Sequence, residues 1–356
     1  LTTVKLAGLL LAAALMSGCA QLGYYWQSAR GHLELMSAAR PVDRWLSDPA
    51  TPPALRERLA LAQRMRDFSV TELKLPDNAS YKRYADLGRR AVVWNVVATP
   101  EFSLELKTWC FPVAGCVGYR GYFSEADARA QAQALREQGW ETGVYGVPAY
   151  STLGWSNWLG GDPLLNTFIA YPEGELARLL FHELAHQVVY AKDDTMFNES
   201  FATAVERLGG ARWLAAHAGE GARREYAEFD ARRVQFRRLV AGTQGELARI
   251  YASNRPPGPA GTDRAAMKKI AFERFRADYA VLRERWGGYA GYDAWVATAS
   301  NPAFAVQAAY DELVPGFEAL FEREGRDWTR FYDAVRRLAD LPRQERHQRL
   351  KEIAGA

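Results

Sequence analysis

Three cysteines, five histidines and a net charge of +3 leave this 356-residue chain outside several broad classes of protein. Forty-five basic residues face forty-two acidic ones, so there is no basic field of the kind that gathers nucleic acid. The arginine pairs at 223–224, 232–233 and 237–238 alternate with Glu225, Glu228 and Asp230, as solvated helix faces do. Beyond the first fifteen residues no apolar run is long enough for a transmembrane helix. No internal repeat emerges. Cysteine is too scarce for a disulfide framework: after Cys19 only Cys110 and Cys116 remain, with five residues between them that include Pro112 and Gly115. That spacing is wider than common zinc knuckles and no second Cys/His pair follows, which favours a disulfide pinning a hairpin over a pair of metal ligands.

What is present begins with an apolar stretch from Leu6 to Leu15 after Lys5, closing in Leu15-Met16-Ser17-Gly18-Cys19. It has the length of a signal-peptide core and ends in the pattern of a bacterial lipoprotein signal. The expectation is a signal over 1–18, lipid attached at Cys19, and a functional unit over 19–356. Ala20 after the cysteine resembles Gram-negative lipoproteins sorted to the outer membrane. The predicted location is therefore the periplasmic face of the bacterial envelope, with an ordinary signal peptide or an uncleaved anchor as the alternatives.

Chemistry concentrates in Phe181-His182-Glu183-Leu184-Ala185-His186 and in Asn198-Glu199-Ser200-Phe201-Ala202. Histidines four residues apart project from one face of a helix. Imidazole nitrogen and carboxylate oxygen are ligands suited to Zn²⁺, with one position left for water. Zinc lowers the pKa of bound water from about 15.7 to about 7. Glu183, beside the metal without binding it, would be the general base. Glu199, thirteen positions after His186, is the expected third ligand. Glu206 is the reserve, two helical turns farther along a similar face. Asn198 is placed to fix the passage from loop to helix. Leu176, Leu180, Leu184 and Val188 form an apolar stripe that puts this helix against a core.

The surrounding pattern predicts an α+β, predominantly helical fold. Helices are expected over 24–39, 53–68, a segment opened by Ser124 as N-cap, a segment from 172 to 193–194, 197–208, 222–253, 263–285, 302–324 and 327–338. Gly209-Gly210 is read as a break. Residues 91–98 and 102–107 read as strands and 142–147 as a return to extended structure, making a small antiparallel sheet in a region of about 90–150, before a helical zinc-site and C-terminal region of about 173–340. Trp155 and Trp158, in a glycine-rich loop, suit either a cleft wall or packing under the loop.

Several ordered segments together resemble a family of bacterial lipoproteins named as predicted aminopeptidases. They are residues 109–116, Tyr119-Arg120-Gly121-Tyr122-Phe123, Asp162-Pro163-Leu164-Leu165, 180–186, 197–202 and Tyr310-Asp311-Glu312-Leu313-Val314-Pro315-Gly316-Phe317. The resemblance covers most of the chain after the signal. It implies a zincin-like core of the gluzincin type, one zinc held by His182, His186 and Glu199, and a peptide substrate, extended along the edge of the sheet. Tyr310, from the C-terminal segment, is the expected donor to the developing oxyanion, with His217 as the alternative. Three departures stand out: thermolysin-like enzymes usually place the third ligand farther beyond the second histidine, Thr203 occupies the place, four after the third ligand, where they often have an acidic residue, and the Gly-x-Met-Glu-Asn signature of aminopeptidase N-like enzymes is absent. The rival function is a non-enzymatic envelope scaffold with a structural or vestigial metal site.

Overall fold

Apolar residues at three- and four-residue spacing dominate the chain before residue 72 and after residue 172, and the described residues of both regions fold mainly into helices. The computed structural model describes residues 22–111, 115–152, 154, 157, 160–252 and 264–355, with 308–311 as backbone alone. The signal segment, Cys19, Trp155 and Trp158 lie outside the described residues, as does the side chain of Tyr310.

The chain opens with α1 (22–38), then β1 (Arg40–Pro41), α2 (Val42–Ser47) and α3 (Pro53–Thr71). Next come β2 (Arg83–Ala85), β3 (Val93–Thr99), β4 (Trp109–Phe111), β5 (Gly115–Val117) and β6 (Arg120–Tyr122). Helix α4 (Glu125–Glu137) follows, started by Ser124, whose hydroxyl accepts from the Asp127 amide. After β7 (Glu141–Val147) and the two-residue β8 (Leu164–Leu165) the chain is helical: α5 (Glu173–Ala185), α6 (Thr195–His217), α7 (Glu220–Ala252) and α8 (Arg264–Arg285). It closes with α9 (Asp293–Ala297), α10 (Asn301–Asp311), α11 (Val314–Arg323), α12 (Trp328–Ala339) and α13 (Arg343–Gly355).

Three small sheets are present among the described residues. β6, β3 and β7 form the expected antiparallel sheet, with Asn95 paired to Gly121 on one side and Tyr145 on the other. β4 and β5 make a hairpin in which Cys110 and Cys116 are register partners and form a disulfide. β1, β2 and β8 form a mixed sheet, β2 and β8 running parallel.

The strand expected over 102–107 is absent. Its apolar residues turn toward helices instead: Leu104 packs against the α7–α8 cluster, and the Phe102 ring meets Tyr251 edge-on. The break expected at Gly209-Gly210 is also absent, and α6 runs through it. A Cβ on Gly209 would lie 2.7 Å from Leu73 Cδ1, and one on Gly210 2.8 Å from Arg178 Cγ. Close packing of α6 against its neighbours thus outweighs the roughly 1 kcal/mol helix penalty of each glycine. The helix expected over 302–324 divides at Glu312–Leu313, two residues before Pro315, which occupies the first turn of α11.

The main core lies between α3, α5, α6, α11 and α12 and includes Leu176, Leu180, Phe181, Leu184, Phe201, Phe317 and Phe331. An aromatic cluster holds α7, α8 and α9 together, and a third cluster joins α4 to the outer face of the β6–β3–β7 sheet.

Candidate metal centre

Helix α5 carries His182 and Glu183 and ends at Ala185 with His186 as its C-cap, well before the end predicted at 193–194. Tight turns take over, from the Gln187 amide to Leu184 O and from the Val188 amide to Ala185 O. The next residues are β-branched or aromatic, poor continuers of a helix, and the loop they form is held from outside. Asn198 accepts from the Ala191 amide at 2.7 Å and donates to the Ala191 carbonyl at 2.8 Å, performing the loop-fixing role expected of it. The disulfide hairpin presses on the same loop: the Cys116 amide donates to Asp193 Oδ1 at 2.6 Å. Gly115, at φ +73°, leaves the space that Asp193 fills. Asp194 then caps α6 through the Phe197 amide and also receives His347 Nε2 at 2.9 Å from α13. The passage from the second histidine to Glu199 is therefore braced by three separate parts of the chain.

α5 and α6 pack side by side, and this brings three predicted ligands together. His182 Nε2 and His186 Nε2 are 3.2 Å apart, and Glu199 Oε2 lies 3.3 Å from the first and 3.7 Å from the second. Four ligands at about 2.0–2.1 Å around a tetrahedral Zn²⁺ stand roughly 3.3–3.4 Å from one another. The triangle of donors fits such an ion, and its donor types, two imidazoles and a carboxylate, suit it chemically.

Glu206, the reserve ligand, has another place. It accepts from His182 Nδ1 at 3.0 Å and pairs with Arg178, which is buried and also touches the Tyr226 hydroxyl. A carboxylate on the far nitrogen fixes the tautomer that leaves Nε2 free to bind a metal. His186 Nδ1 is buried and finds no partner among the described residues.

The electrostatics match. Burial opposes charge on His182, but hydrogen bonds to Glu199 and Glu206 outweigh it and hold the ring's pKa well above its usual value. Burial would likewise raise the two carboxylates. The histidines instead pull Glu199 down to about 2, and Arg178 with His182 pulls Glu206 lower still. Glu183 shifts the other way, raised mainly by burial with His182 and His186 opposing. In the metal-free site the proton on His182 and the charge on Arg178 balance the two ionised carboxylates; a cation bound at Nε2 takes the place of that proton.

These residues line a cleft of about 750 Å³ together with Glu183. Its far wall is the inner face of the β6–β3–β7 sheet: Val93, Asn95, Gly121, Tyr145 and Val147 point into it, while Trp94, Val96 and Ala98 turn toward α4. The sheet thus meets the cleft with a face, where the sequence suggested an edge. Tyr119, Tyr145 and Tyr190 also line it. Burial pushes all three phenols up, Tyr145 to about 12, so they stay neutral hydroxyls. Sequence reasoning singled out none of the three, although Tyr119 begins one of the segments that carried the resemblance and Tyr145 lies in a predicted strand.

Of the expected oxyanion donors, His217 is far from this chemistry: it is exposed and stacks on Trp213 at 4.7 Å beside Phe68. Tyr310 sits on α10, whose Val306 and Gln307 line the cleft, but its own side chain is outside the described residues. The C-terminal segment containing it backs the ligand helix. Leu313 donates its amide to Ser200 Oγ, and Phe317 packs edge-on against Phe197.

A mostly helical fold with small sheets, holding a buried His-His-Glu cluster in a wide cleft, is the frame of a protein able to carry a metal ion at a site open to ligands. A family model described as "Putative aminopeptidase" matches residues 23–350, and the chain belongs to that family. Membership points to peptide-bond hydrolysis at the level of class. No curated protein and no solved structure matches the chain.

Proposed function

We propose that this protein is a zinc-dependent peptidase with a zincin-like core of the gluzincin type, acting as an aminopeptidase. The observation that carries the reading is the donor triangle of His182, His186 and Glu199, opening on the same cleft as Glu183. A structural zinc site is closed by four protein ligands, whereas three donors converge here among the described residues and the remaining side faces the cleft. That favours catalysis over a scaffold role.

His182, His186 and Glu199 would hold the ion, with Glu206 orienting His182. When bound, zinc supplies Lewis acidity toward a carbonyl oxygen and makes water a usable nucleophile near neutral pH. Glu183, with a raised pKa in a partly closed cleft, takes the proton from the attacking water and gives it to the leaving amine. Tyr119 brings a neutral hydroxyl into the cleft beside Glu183 and Glu199, placed to donate to the substrate's carbonyl oxygen as negative charge gathers on it. The unit spans the chain after residue 18, and attachment through lipid on Cys19 would put it on the periplasmic face of the envelope, with the outer membrane favoured.

Metal content and peptide hydrolysis test the reading together. The purified protein is expected to hold one zinc per chain, and a chelator should abolish hydrolysis while leaving the helical spectrum intact. His182→Ala should lose the metal. Peptides with free and with blocked amino termini separate an aminopeptidase from an endopeptidase, the former cleaving only the free set. Full hydrolysis by metal-free protein would sink the proposal.

A further inference from the structure

Four of the seven large hydrophobic side chains exposed among the described residues lie on one helix, α1: Leu22 (70 % exposed), Tyr25 (42 %), Trp26 (72 %) and Leu33 (62 %). Leu22, Trp26, Ala29 and Leu33 recur at spacings of four, three and four, which places them in one stripe along the helix. The opposite side is fastened to the protein. Leu35 is buried, Tyr24 packs on Phe111 and Tyr122, and Tyr24 and Ser28 line the cleft, while Met36, three residues beyond Leu33, marks where the stripe itself turns into the fold. Helix α1 thus has an inner face committed to the fold and an outer face of large apolar residues facing solvent.

We infer that this outer face lies on a phospholipid bilayer, with Leu22, Trp26 and Leu33 in the interface between headgroups and acyl chains. The inference rests on the proposed lipid attachment at Cys19. Leu22 is the third residue after Cys19, and three residues fully extended reach at most about 10 Å. With acyl chains on Cys19 inserted in the membrane, the start of α1 has nowhere to go except the membrane surface. A stripe of Leu and Trp, with Tyr at its margin, is the composition that settles at that depth. One acylated cysteine defines a tether, and the stripe converts it into a fixed orientation. No helix among the described residues is long and apolar enough to cross a membrane, so α1 lies along the surface. Since the same helix borders the cleft, the cleft rim stands about one helix diameter, roughly 10–12 Å, from the bilayer. Substrates would then be peptides presented close to the membrane surface.

The full mature chain, reconstituted in phosphatidylethanolamine–phosphatidylglycerol vesicles, provides the test. Trp26→Cys, Leu33→Cys and Val281→Cys variants each receive a fluorophore, and quenching by spin-labelled lipid is compared with quenching by iodide in the water. All three positions are exposed, and unchanged unfolding midpoints confirm that the fold is kept. Lipid quenching several-fold stronger at 26 and 33 than at 281, with iodide showing the reverse order, supports the inference. An intact mass without acyl chains on Cys19 removes the tether and overturns both the anchor and the membrane face. Acylated Cys19 with iodide-accessible labels at 26 and 33 overturns the membrane face alone. Labels shielded from both quenchers, with cross-linking between chains, overturn it in favour of a second copy.

Discussion

Two helix pairs in this molecule are packed by opposite means. α5 and α6 meet through small residues, and around the His182–His186–Glu199 cluster they enclose charge: Arg178, Glu206, His182 and Glu199 form a chain of contacts. α7 and α8 meet through rings, with Phe236, Phe275, Tyr279, Tyr292, Trp295 and Phe304 in mutual contact. Ring packing draws mostly on buried apolar area, which is non-directional, and adds only a modest preference for edge-to-face or offset geometry. A buried ionic chain stabilises only in one geometry, because removing one partner strands the other without water. The first pair therefore fixes atoms to positions, as a metal site requires. The second fixes mass, and it borders the cleft through Arg233 and Arg237 on α7.

If that division is sound, substitutions in the two pairs should separate chemistry from stability. The largest effect is expected for Glu183→Gln, with hydrolysis reduced about 10²–10⁴-fold; zinc content and unfolding midpoint should stay at wild-type values. Phe275→Ala should do the converse. It empties a fully buried ring site and should cost about 3–5 kcal/mol in denaturant unfolding, with zinc affinity unchanged. A smaller effect is expected from Glu206→Gln: a loss of about 10–100-fold in zinc affinity by competition with a chelator, whereas turnover at saturating zinc is largely retained. The same variant bears on acid stability. Glu206 and Glu199 both have depressed pKa values, so their contribution is complete above the ordinary carboxylate value of 4.5 and is lost as pH falls below it. The metal-free protein should lose stability steeply below that pH, and Glu206→Gln should flatten the slope. A parallel slope in both would break the link between the ionic chain and the fold.

The sequence made the convergence of His182, His186 and Glu199 readable because local spacing determines it. Two histidines one turn apart share a face in any helix, and Asn198-Glu199 followed at a distance that one turn and a new helix can close. Helix identity after residue 172 was readable for the same reason. What escaped depends on contacts distant in sequence. The end of α5 at His186 is set by Asn198, by the disulfide hairpin and by α13, none of which is apparent from residues 187–194 themselves. The segment 102–107 has the alternation of a strand, and nothing local reveals that its apolar side faces α7 and α8. Spacing made Glu206 the reserve to Glu199, but its pairing with Arg178, twenty-eight positions earlier, and with His182 Nδ1 is not apparent from spacing. Tyr119 and Tyr145 come to the cleft through sheet register, which alternation predicts only once the pairing is known.

Glycine gives the finest test of the contrast, because the same substitution should change sign between the two pairs. Helix propensity favours Ala over Gly by about 1 kcal/mol in a helix interior. At Gly242 and Gly245 of α7 no atom lies within 4 Å of the added Cβ, so propensity acts alone. Gly242→Ala and Gly245→Ala should each stabilise by about 0.5–1 kcal/mol. At Gly209 of α6 the new carbon would meet Leu73 Cδ1 at 2.7 Å and the Phe181 ring at 3.1 Å, and both side chains are fully buried. Overpacking of this kind costs about 1–3 kcal/mol, which cancels or exceeds the propensity gain. Gly209→Ala should therefore be neutral to destabilising by about 2 kcal/mol in urea midpoint. It should also weaken zinc binding slightly, since Phe181 adjoins His182 and any shift of α5 against α6 opens the donor triangle. Equal stabilisation at all three glycines would mean that α5 and α6 can move apart without cost, and the contrast between the two pairs would fail.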